Sequence, residues 1–129
     1  MIYLDTSVAL AHLLSEDRIP PARLWNEQLV SSRLIEYELW NRFHARDLGR
    51  SHGDLVRQLI GRIALLELAP PVLARAIEPF PAPVGTLDAL HLASFHFLVE
   101  RGLPVSLACY DERMCAVAAK LHFPLYDLG

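Results

Sequence analysis

Short apolar runs alternate with longer segments of helical periodicity along this chain. The runs have the length of buried strands, and the longer segments repeat apolar residues three or four positions apart, as helices do. Strands interleaved with helices predict an α/β fold of three layers, with a central, mostly parallel sheet covered on both faces. The predicted strands are residues 2–4, 29–31, 105–109 and, at an edge, 123–126, and the predicted helices are residues 8–14, 22–29, 34–47, 54–65, 72–77, 87–100 and 112–121.

Glycine and proline mark the predicted connections. Residues 49–53 are interpreted as a turn, and the proline-rich residues 70–83 as a loop that holds only the one short helix. Thr86 is predicted to cap the next helix, which places Asp88 in the first turn, where negative charge suits the helix dipole. No repeat or change of composition divides the chain, so we expect residues 1–129 to form a single domain.

Four acidic residues beside apolar runs are the strongest chemical signal. Ligands of parallel α/β sheets bind at the carboxyl ends of the strands, and the predicted topology allows the four acids to meet at that edge. Carboxylates brought together repel one another, whereas a hard divalent cation such as Mg²⁺ or Mn²⁺ removes the repulsion because it prefers oxygen ligands. The sequence therefore suggests a metal site built from Asp5, Glu38, Asp88 and Asp111.

Such a site would suit phosphodiester hydrolysis. A metal held by carboxylates leaves positions for water and a phosphate oxygen, lowers the pKa of that water and neutralises charge on the leaving oxygen. The histidines and the two cysteines, Cys109 and Cys115, show no zinc-site spacing, and we interpret both cysteines as small buried hydrophobes. A simpler interpretation also stands, in which Asp5 only caps a helix and Asp88 only favours a helix dipole.

Composition narrows the classes of protein. Apolar residues make up 53% of the chain and the mean hydropathy is +0.25, which indicates either a well-filled core or a surface for a partner. No apolar run is long enough to span a bilayer and no export signal is visible, so we expect a cytoplasmic protein without membrane association. The net charge of −3 argues weakly against non-specific nucleic-acid binding. Three arginines, Arg42, Arg46 and Arg50, are nevertheless spaced four apart, which puts them on one helical side, either solvated or facing phosphates, if the helix continues that far.

Four motifs together resemble a known family. They read YLDTS at residues 3–7, SRLIEYEL at residues 32–39, TLDALHLA at residues 86–93 and YDERM at residues 110–114. In this order and at this spacing they resemble the PIN domain and, more narrowly, the VapC toxin ribonucleases of bacterial toxin–antitoxin pairs. The resemblance covers essentially the whole chain and implies a Rossmann-like fold with three α/β/α layers.

The resemblance also implies an activity and partners. It implies an endoribonuclease that depends on Mg²⁺ or Mn²⁺, in which Thr6 or Ser7 orients water on the metal or the first aspartate. It further implies an RNA substrate, a VapB-like antitoxin whose C-terminal segment lies in a groove near the acids, and a homodimer. By motif position, the family's metal-binding and catalytic quartet corresponds to Asp5, Glu38, Asp88 and Asp111.

Two other classes of protein share some of these features. A receiver-type phosphate-acceptor domain has strand-end acids, but it needs an adjacent acid pair, and here Thr6 and Ser7 follow Asp5. It also needs a lysine after the last strand, whereas the only lysine, Lys120, lies in a predicted helix. A non-catalytic PIN-like binding or assembly module is the second alternative, although such a role does not need four converging carboxylates. Among the remaining residues, His91 is interpreted as a packed, hydrogen-bonded histidine, and Trp25 and Trp40 as core aromatics or the lining of a partner's groove.

Overall fold

A parallel sheet of four strands lies at the centre of the computed structural model, which describes residues 1–129. The strands are β1 (Ile2–Leu4), β2 (Leu29–Ser32), β3 (Ile63–Leu66) and β4 (Ser106–Ala108), in the spatial order β3-β2-β1-β4. All three neighbouring pairs are parallel. The predicted fold class is confirmed.

Helices cover both faces of the sheet, so every residue of β1 and β2 is buried, whereas the edge strand β3 is partly exposed. In β1, Ile2 and Leu4 pack into one apolar cluster with Phe43, whereas Tyr3 between them packs into a second cluster with Phe95. This alternation separates the two outer layers. The helices are α1 (Thr6–Leu13), α2 (Leu34–Ala45), α3 (Gly49–Gly61), α4 (Pro70–Ala76), α5 (Thr86–Glu100) and α6 (Glu112–Lys120), with a 3-10 helix at Ala22–Asn26. None of them has both the length and the apolar character needed to span a membrane.

The direction of the chain across the sheet reverses beside β1. From β1 the chain moves to β2 and then to β3 on one side, and it returns through α4 and α5 to place β4 on the other side of β1. The segments that leave β1 and β4 therefore diverge, and a crevice forms between them at the carboxyl edge of the sheet. Asp5 follows β1 directly, and Asp111 precedes α6 just after β4.

The predicted turn over residues 49–53 is wrong, because α3 already begins at Gly49. Its glycines lie where α2 and α3 approach closely. A Cβ atom on Gly49 would lie 2.9 Å from Nδ1 of His44, and one on Gly53 would lie 3.6 Å from the ring of Trp40. Glycine at these positions marks a contact between helices and not a break in the chain.

The boundary after α3 also differs from the prediction. The helix predicted to continue to residue 65 ends at Gly61, because Ile63–Leu66 pairs with β2 as strand β3. Neighbouring-strand hydrogen bonds, which the sequence pattern does not report, decide this boundary.

Two further predictions near chain turns are wrong. Thr86 does not cap α5, because the N-cap is Gly85 and no side chain satisfies the first turn. The predicted edge strand over residues 123–126 is reduced to a single parallel bridge between Leu107 and Leu125. Its neighbour Pro124 has no N–H to extend a ladder.

Candidate metal centre

A cavity of about 520 Å³ opens at the carboxyl edge of the sheet and is lined by all four predicted acids. They come from four separate elements: the end of β1, the middle of α2, the first turn of α5 and the N-cap of α6. Thr6 and Ser7, predicted to support the site, line the same cavity. The fold thus brings together Asp5, Glu38, Asp88 and Asp111.

Two of these carboxylates are fixed by the N-termini of helices. Oδ2 of Asp5 caps α1 by accepting hydrogen bonds from the backbone N–H of Ser7 at 3.1 Å and from the Ser7 hydroxyl at 2.5 Å. Oδ1 of Asp111 caps α6 by accepting from the N–H groups of Arg113 and Met114, at 3.0 and 3.2 Å. Capping therefore occupies one oxygen of each aspartate and leaves the other without a partner.

Glu38 and Asp88 also have carboxylate oxygens without a hydrogen-bond partner. Oε1 of Glu38 accepts hydrogen bonds from Oγ1 of Thr6 at 2.8 Å and from Nε2 of His91 at 2.6 Å, while Oε2 has no partner. The carboxylate of Asp88 makes no hydrogen bond within the protein. No fully buried side-chain oxygen or nitrogen lacks a partner, so the unpaired carboxylate oxygens are accessible to solvent. Each of the four acids thus offers at least one oxygen to the cavity.

The carboxylates are close enough to affect one another's charge. Burial raises the pKa of Asp88, and the negative charges of Asp111, Asp5 and Glu38 raise it further, against the opposing effect of His91. Like charges gathered in a half-buried site disfavour ionisation in this way. A cation in the cavity would remove that penalty.

The donor set fits a hard divalent cation by its chemistry. Four carboxylates from four elements present accessible oxygens, the ligand type that Mg²⁺ and Mn²⁺ prefer. As the side chains stand, however, no three His, Cys, Asp or Glu residues form a group compact enough to hold an ion. The elements and the donor types are in place, whereas a closed ligand group is not.

His91 is buried beside the cavity, as interpreted from the sequence, with an exposed fraction of 1%. Its Nδ1 lies 2.8 Å from the hydroxyl of Tyr3, and its Nε2 contacts Glu38. Burial lowers the pKa of His91, but the hydrogen bond to Glu38 and the charges of Asp5 and Asp88 outweigh this effect, so the pKa is raised. Sequence reasoning missed the participation of Tyr3, which looked like an ordinary strand residue.

Cys109 also reaches the site, which its interpretation as a plain hydrophobe did not include. Its thiol lies 3.6 Å from Oδ2 of Asp5. The contact with Cys115, burial and the charge of Asp5 all raise the pKa of Cys109, so it stays a neutral donor to that carboxylate. Cys115 is only partly buried.

Two arginines stand at the rim of the cavity. Arg42 is exposed and lines the cavity without a hydrogen bond or an ion pair. The helix does not continue far enough to align Arg42 with Arg46 and Arg50, because α2 ends at Ala45 and Arg50 belongs to α3. Arg18, which no sequence pattern indicated as a site residue, donates a hydrogen bond to the backbone oxygen of Tyr110 at 2.9 Å.

The tryptophans contact histidines at the edge of the core. The ring of Trp25 lies 4.3 Å from that of His12, and the ring of Trp40 is stacked 5.6 Å from that of His44. Both indoles also pack against the apolar cluster of α1, α2 and α3. Neither lines the acidic cavity.

Comparison with known proteins agrees with this architecture. Residues 2–120 match the PIN domain, and the chain belongs to the PIN domain family. Ribonuclease VapC47 of Mycobacterium tuberculosis (strain CDC 1551 / Oshkosh) is 31% identical over 130 residues, which cover 95% of this chain and 93% of VapC47. The crystal structure of Mycobacterium tuberculosis VapC20, a sarcin-ricin loop cleaving toxin, matches 90% of this chain and 94% of VapC20 with a TM-score of 0.67. At 18% identity, that likeness shows the shared fold.

Proposed function

We propose that this protein is a divalent-metal-dependent endoribonuclease, the toxin of a type II toxin–antitoxin pair, with residues 1–129 as its single PIN domain. The observation that carries the proposal is the convergence of four carboxylates on one cavity, each with an accessible oxygen. The ribonuclease name of the relative at 31% identity supports the choice of RNA as substrate. The reaction is hydrolysis of a phosphodiester bond.

In this proposal the four acids hold Mg²⁺ or Mn²⁺. When bound, the ion supplies an activated water and stabilises charge on the phosphate and the leaving oxygen. The protein's part is to hold the ligands: Ser7 fixes Asp5, Thr6 and His91 fix Glu38, and the first turn of α6 fixes Asp111. Only Asp88 lacks such a partner, so it can adjust to the ion.

The arginines at the rim suit the charge of the substrate. RNA brings negative phosphates toward a cavity lined by carboxylates, and guanidinium groups offset the repulsion by forked hydrogen bonds. Arg42 is free of protein partners and lines the cavity, which makes it available for a phosphate next to the scissile one. Arg18 is already engaged by Tyr110 and by Glu112 at 3.7 Å.

An apolar surface supports a protein partner. A second cavity, of about 660 Å³, lies between α4, α5 and the proline-rich segment that joins them, and most of its lining is apolar. Ile77 at its border is 88% exposed. The proposal places here an apolar segment of the antitoxin, near the helix that carries Asp88. A homodimer is part of the same proposal, and light scattering of the purified chain with and without antitoxin tests it.

Cleavage of purified total RNA tests the enzymatic proposal. The chain is incubated with Mg²⁺, with Mn²⁺ and with chelator, beside the variants Asp5→Asn and Asp47→Asn. Asp47 is an exposed acid outside the acidic cavity with φ of 55°, a conformation that asparagine accepts, so its variant is the matched control. We expect discrete, metal-dependent fragments from the wild type and Asp47→Asn, and none from Asp5→Asn.

The alternative function is a non-catalytic PIN-like binding or assembly module. The lack of a compact group of three ligand residues favours it. If the folded chain, free of antitoxin, cleaves no RNA with either metal, the enzymatic proposal is overturned in favour of this module. Mapping the cut sites would otherwise identify the RNA.

A further inference from the structure

His91 is a buried polar side chain whose position in the core is not explained by packing alone. It lies on α5 one turn after Asp88, and only 1% of its surface is exposed. Its ring does not line the acidic cavity, and both of its nitrogens contact polar side chains from other elements. An apolar residue could fill the same space without these contacts.

The hydrogen bonds around His91 have only one consistent direction at Nε2. The carboxylate of Glu38 accepts hydrogen bonds and donates none, so Nε2 must carry a proton at its 2.6 Å contact with Oε1. This holds for both the neutral and the charged ring. The donor role of His91 toward Glu38 therefore does not depend on its charge.

The other side of the ring is held by Tyr3. The hydroxyl oxygen of Tyr3 accepts the backbone N–H of Ser32 at 3.2 Å and lies 2.8 Å from Nδ1 of His91. Burial raises the pKa of Tyr3, so the phenol keeps its proton and can donate to the neutral ring. A series of contacts thus runs from the backbone of β2 through β1 and α5 to Glu38 on α2.

Glu38 needs such support more than the capping aspartates do. It lies within a helix, where no backbone N–H is free to hold its carboxylate, and its side chain has three rotatable bonds. His91 and Thr6 both donate to Oε1, so the two contacts fix one oxygen and direct the other, Oε2, toward solvent. The two donors come from different elements, α5 and α1, and so define the orientation of the carboxylate.

We propose that His91 is a positioning residue, which with Thr6 holds Glu38 in the orientation that binds the metal. The proposal rests on the proposed function, because a fixed Glu38 matters only if the cavity binds a cation. His91 itself is not a ligand: Nε2 is protonated toward Glu38, and Nδ1 faces Tyr3 and not the cavity. Partners that orient metal ligands commonly change metal affinity by about 10- to 100-fold.

Two substitutions of similar polarity separate positioning from packing. In His91→Gln, the amide nitrogen can reach the place of Nε2 and donate to Glu38, whereas in His91→Asn the shorter side chain reaches only the place of Nδ1. Mn²⁺ binding is measured by calorimetry, with melting temperatures as a check of folding. We expect His91→Asn to bind Mn²⁺ about 10- to 100-fold more weakly, and His91→Gln to recover most of the affinity.

A control and a double variant complete the test. His96→Asn makes the same exchange further along α5, outside the cavity, and should bind Mn²⁺ like the wild type. In a Glu38→Gln background, His91→Asn should cause no further loss, because the group it positions is already changed. An equal loss in both backgrounds would show that His91 acts on the site by another route and would overturn the proposal.

The outcomes distinguish this inference from the proposed function. If the wild type binds no Mn²⁺ and cleaves no RNA, the proposed function fails. If the wild type binds Mn²⁺ and folded His91→Asn binds it equally well, only the positioning role fails. Should His91→Asn not fold, Tyr3→Phe removes the hydroxyl contact while keeping the ring, and unchanged Mn²⁺ affinity in that variant would overturn the proposal.

Discussion

The hydroxyl of Ser7 donates a 2.5 Å hydrogen bond to Oδ2 of Asp5, the acid that follows β1 directly. The same Ser7 oxygen accepts the backbone N–H of Tyr110 at 3.0 Å. Ser7 lies in the first turn of α1, just after β1, whereas Tyr110 lies between β4 and α6. One side chain thus fixes a proposed metal ligand and links the two sides of the crevice.

Replacing Ser7 by alanine should reduce both the stability of the fold and the activity, because Ser7 contacts both Tyr110 and Asp5. The N–H of Tyr110 would lose its partner and Asp5 would lose its shortest hydrogen bond, so we expect unfolding to become easier by about 1–3 kcal/mol. Cleavage should fall by about 10- to 100-fold, as for other residues that orient metal ligands. Denaturant unfolding and RNA cleavage measure the two effects. Ser51→Ala, at an exposed serine on α3, is the control, and activity equal to that control would contradict the expectation.

Asp88→Asn should abolish cleavage while leaving the metal-free protein at least as stable as the wild type. Burial and repulsion by Asp111 and Asp5 disfavour the charge of Asp88, and asparagine removes that charge at nearly the same volume. Melting temperatures in chelator, together with RNA cleavage in Mn²⁺, check both parts. A variant that loses activity only because it unfolds would argue for a structural role of Asp88.

The raised pKa of Asp88 also predicts a pH dependence of stability in chelator. The folded protein binds this proton more tightly than the unfolded chain does, so the stabilising contribution is complete below the ordinary pKa of 3.8. It is lost as the pH rises through the raised pKa of the folded state. The melting temperature of Asp88→Asn minus that of the wild type should therefore increase as the pH rises from acidic to neutral. A constant difference over this range would show that the charge of Asp88 is not opposed by its surroundings.

Arg42→Ala should reduce binding of RNA more than the chemical step. Arg42 faces the acidic cavity without a protein partner, so we expect KM to rise several-fold while kcat changes little. The slope of log binding constant against log salt concentration should become shallower by about 1, because one phosphate contact is lost. Arg46→Ala is the matched control, because Arg46 is also exposed but lies at the end of α2, outside the cavity. Equal effects of both variants would indicate general charge attraction and not a defined phosphate contact.

The positions of the acids at strand ends could be predicted from the sequence, whereas the side chains that hydrogen-bond to the acids could not. Asp5 and Asp111 follow apolar runs, and strand ends meet at one edge of a parallel sheet. Glu38 and Asp88 lie on helices, whose direction depends on packing, so their place beside Asp5 was an expectation from motif resemblance as well as from topology. The contact between Tyr3 and His91 could not be predicted, because all three residues of β1 are buried and the pattern does not tell which face each one takes.

Helix boundaries failed where a neighbouring element decided them. Gly49 and Gly53 are typical of a turn in sequence, but the close approach of His44 and Trp40 makes them positions of helix contact. Similarly, Ile63–Leu66 leaves the helical pattern because β2 offers it a partner. Such choices depend on residues distant in sequence, which local periodicity does not include.

The strand order has a consequence for the synthesis of this protein on the ribosome. Asp5, Glu38 and Asp88 are all made before β4, but β1 receives its second neighbour only when β4 has been made, and Asp111 comes after β4. A nascent chain that ends before β4 has no closed crevice and lacks one wall of the cavity. On the proposed function, we expect no RNA cleavage until the segment from β4 to α6 has emerged and folded. The strand order would thereby keep a partly synthesised chain inactive.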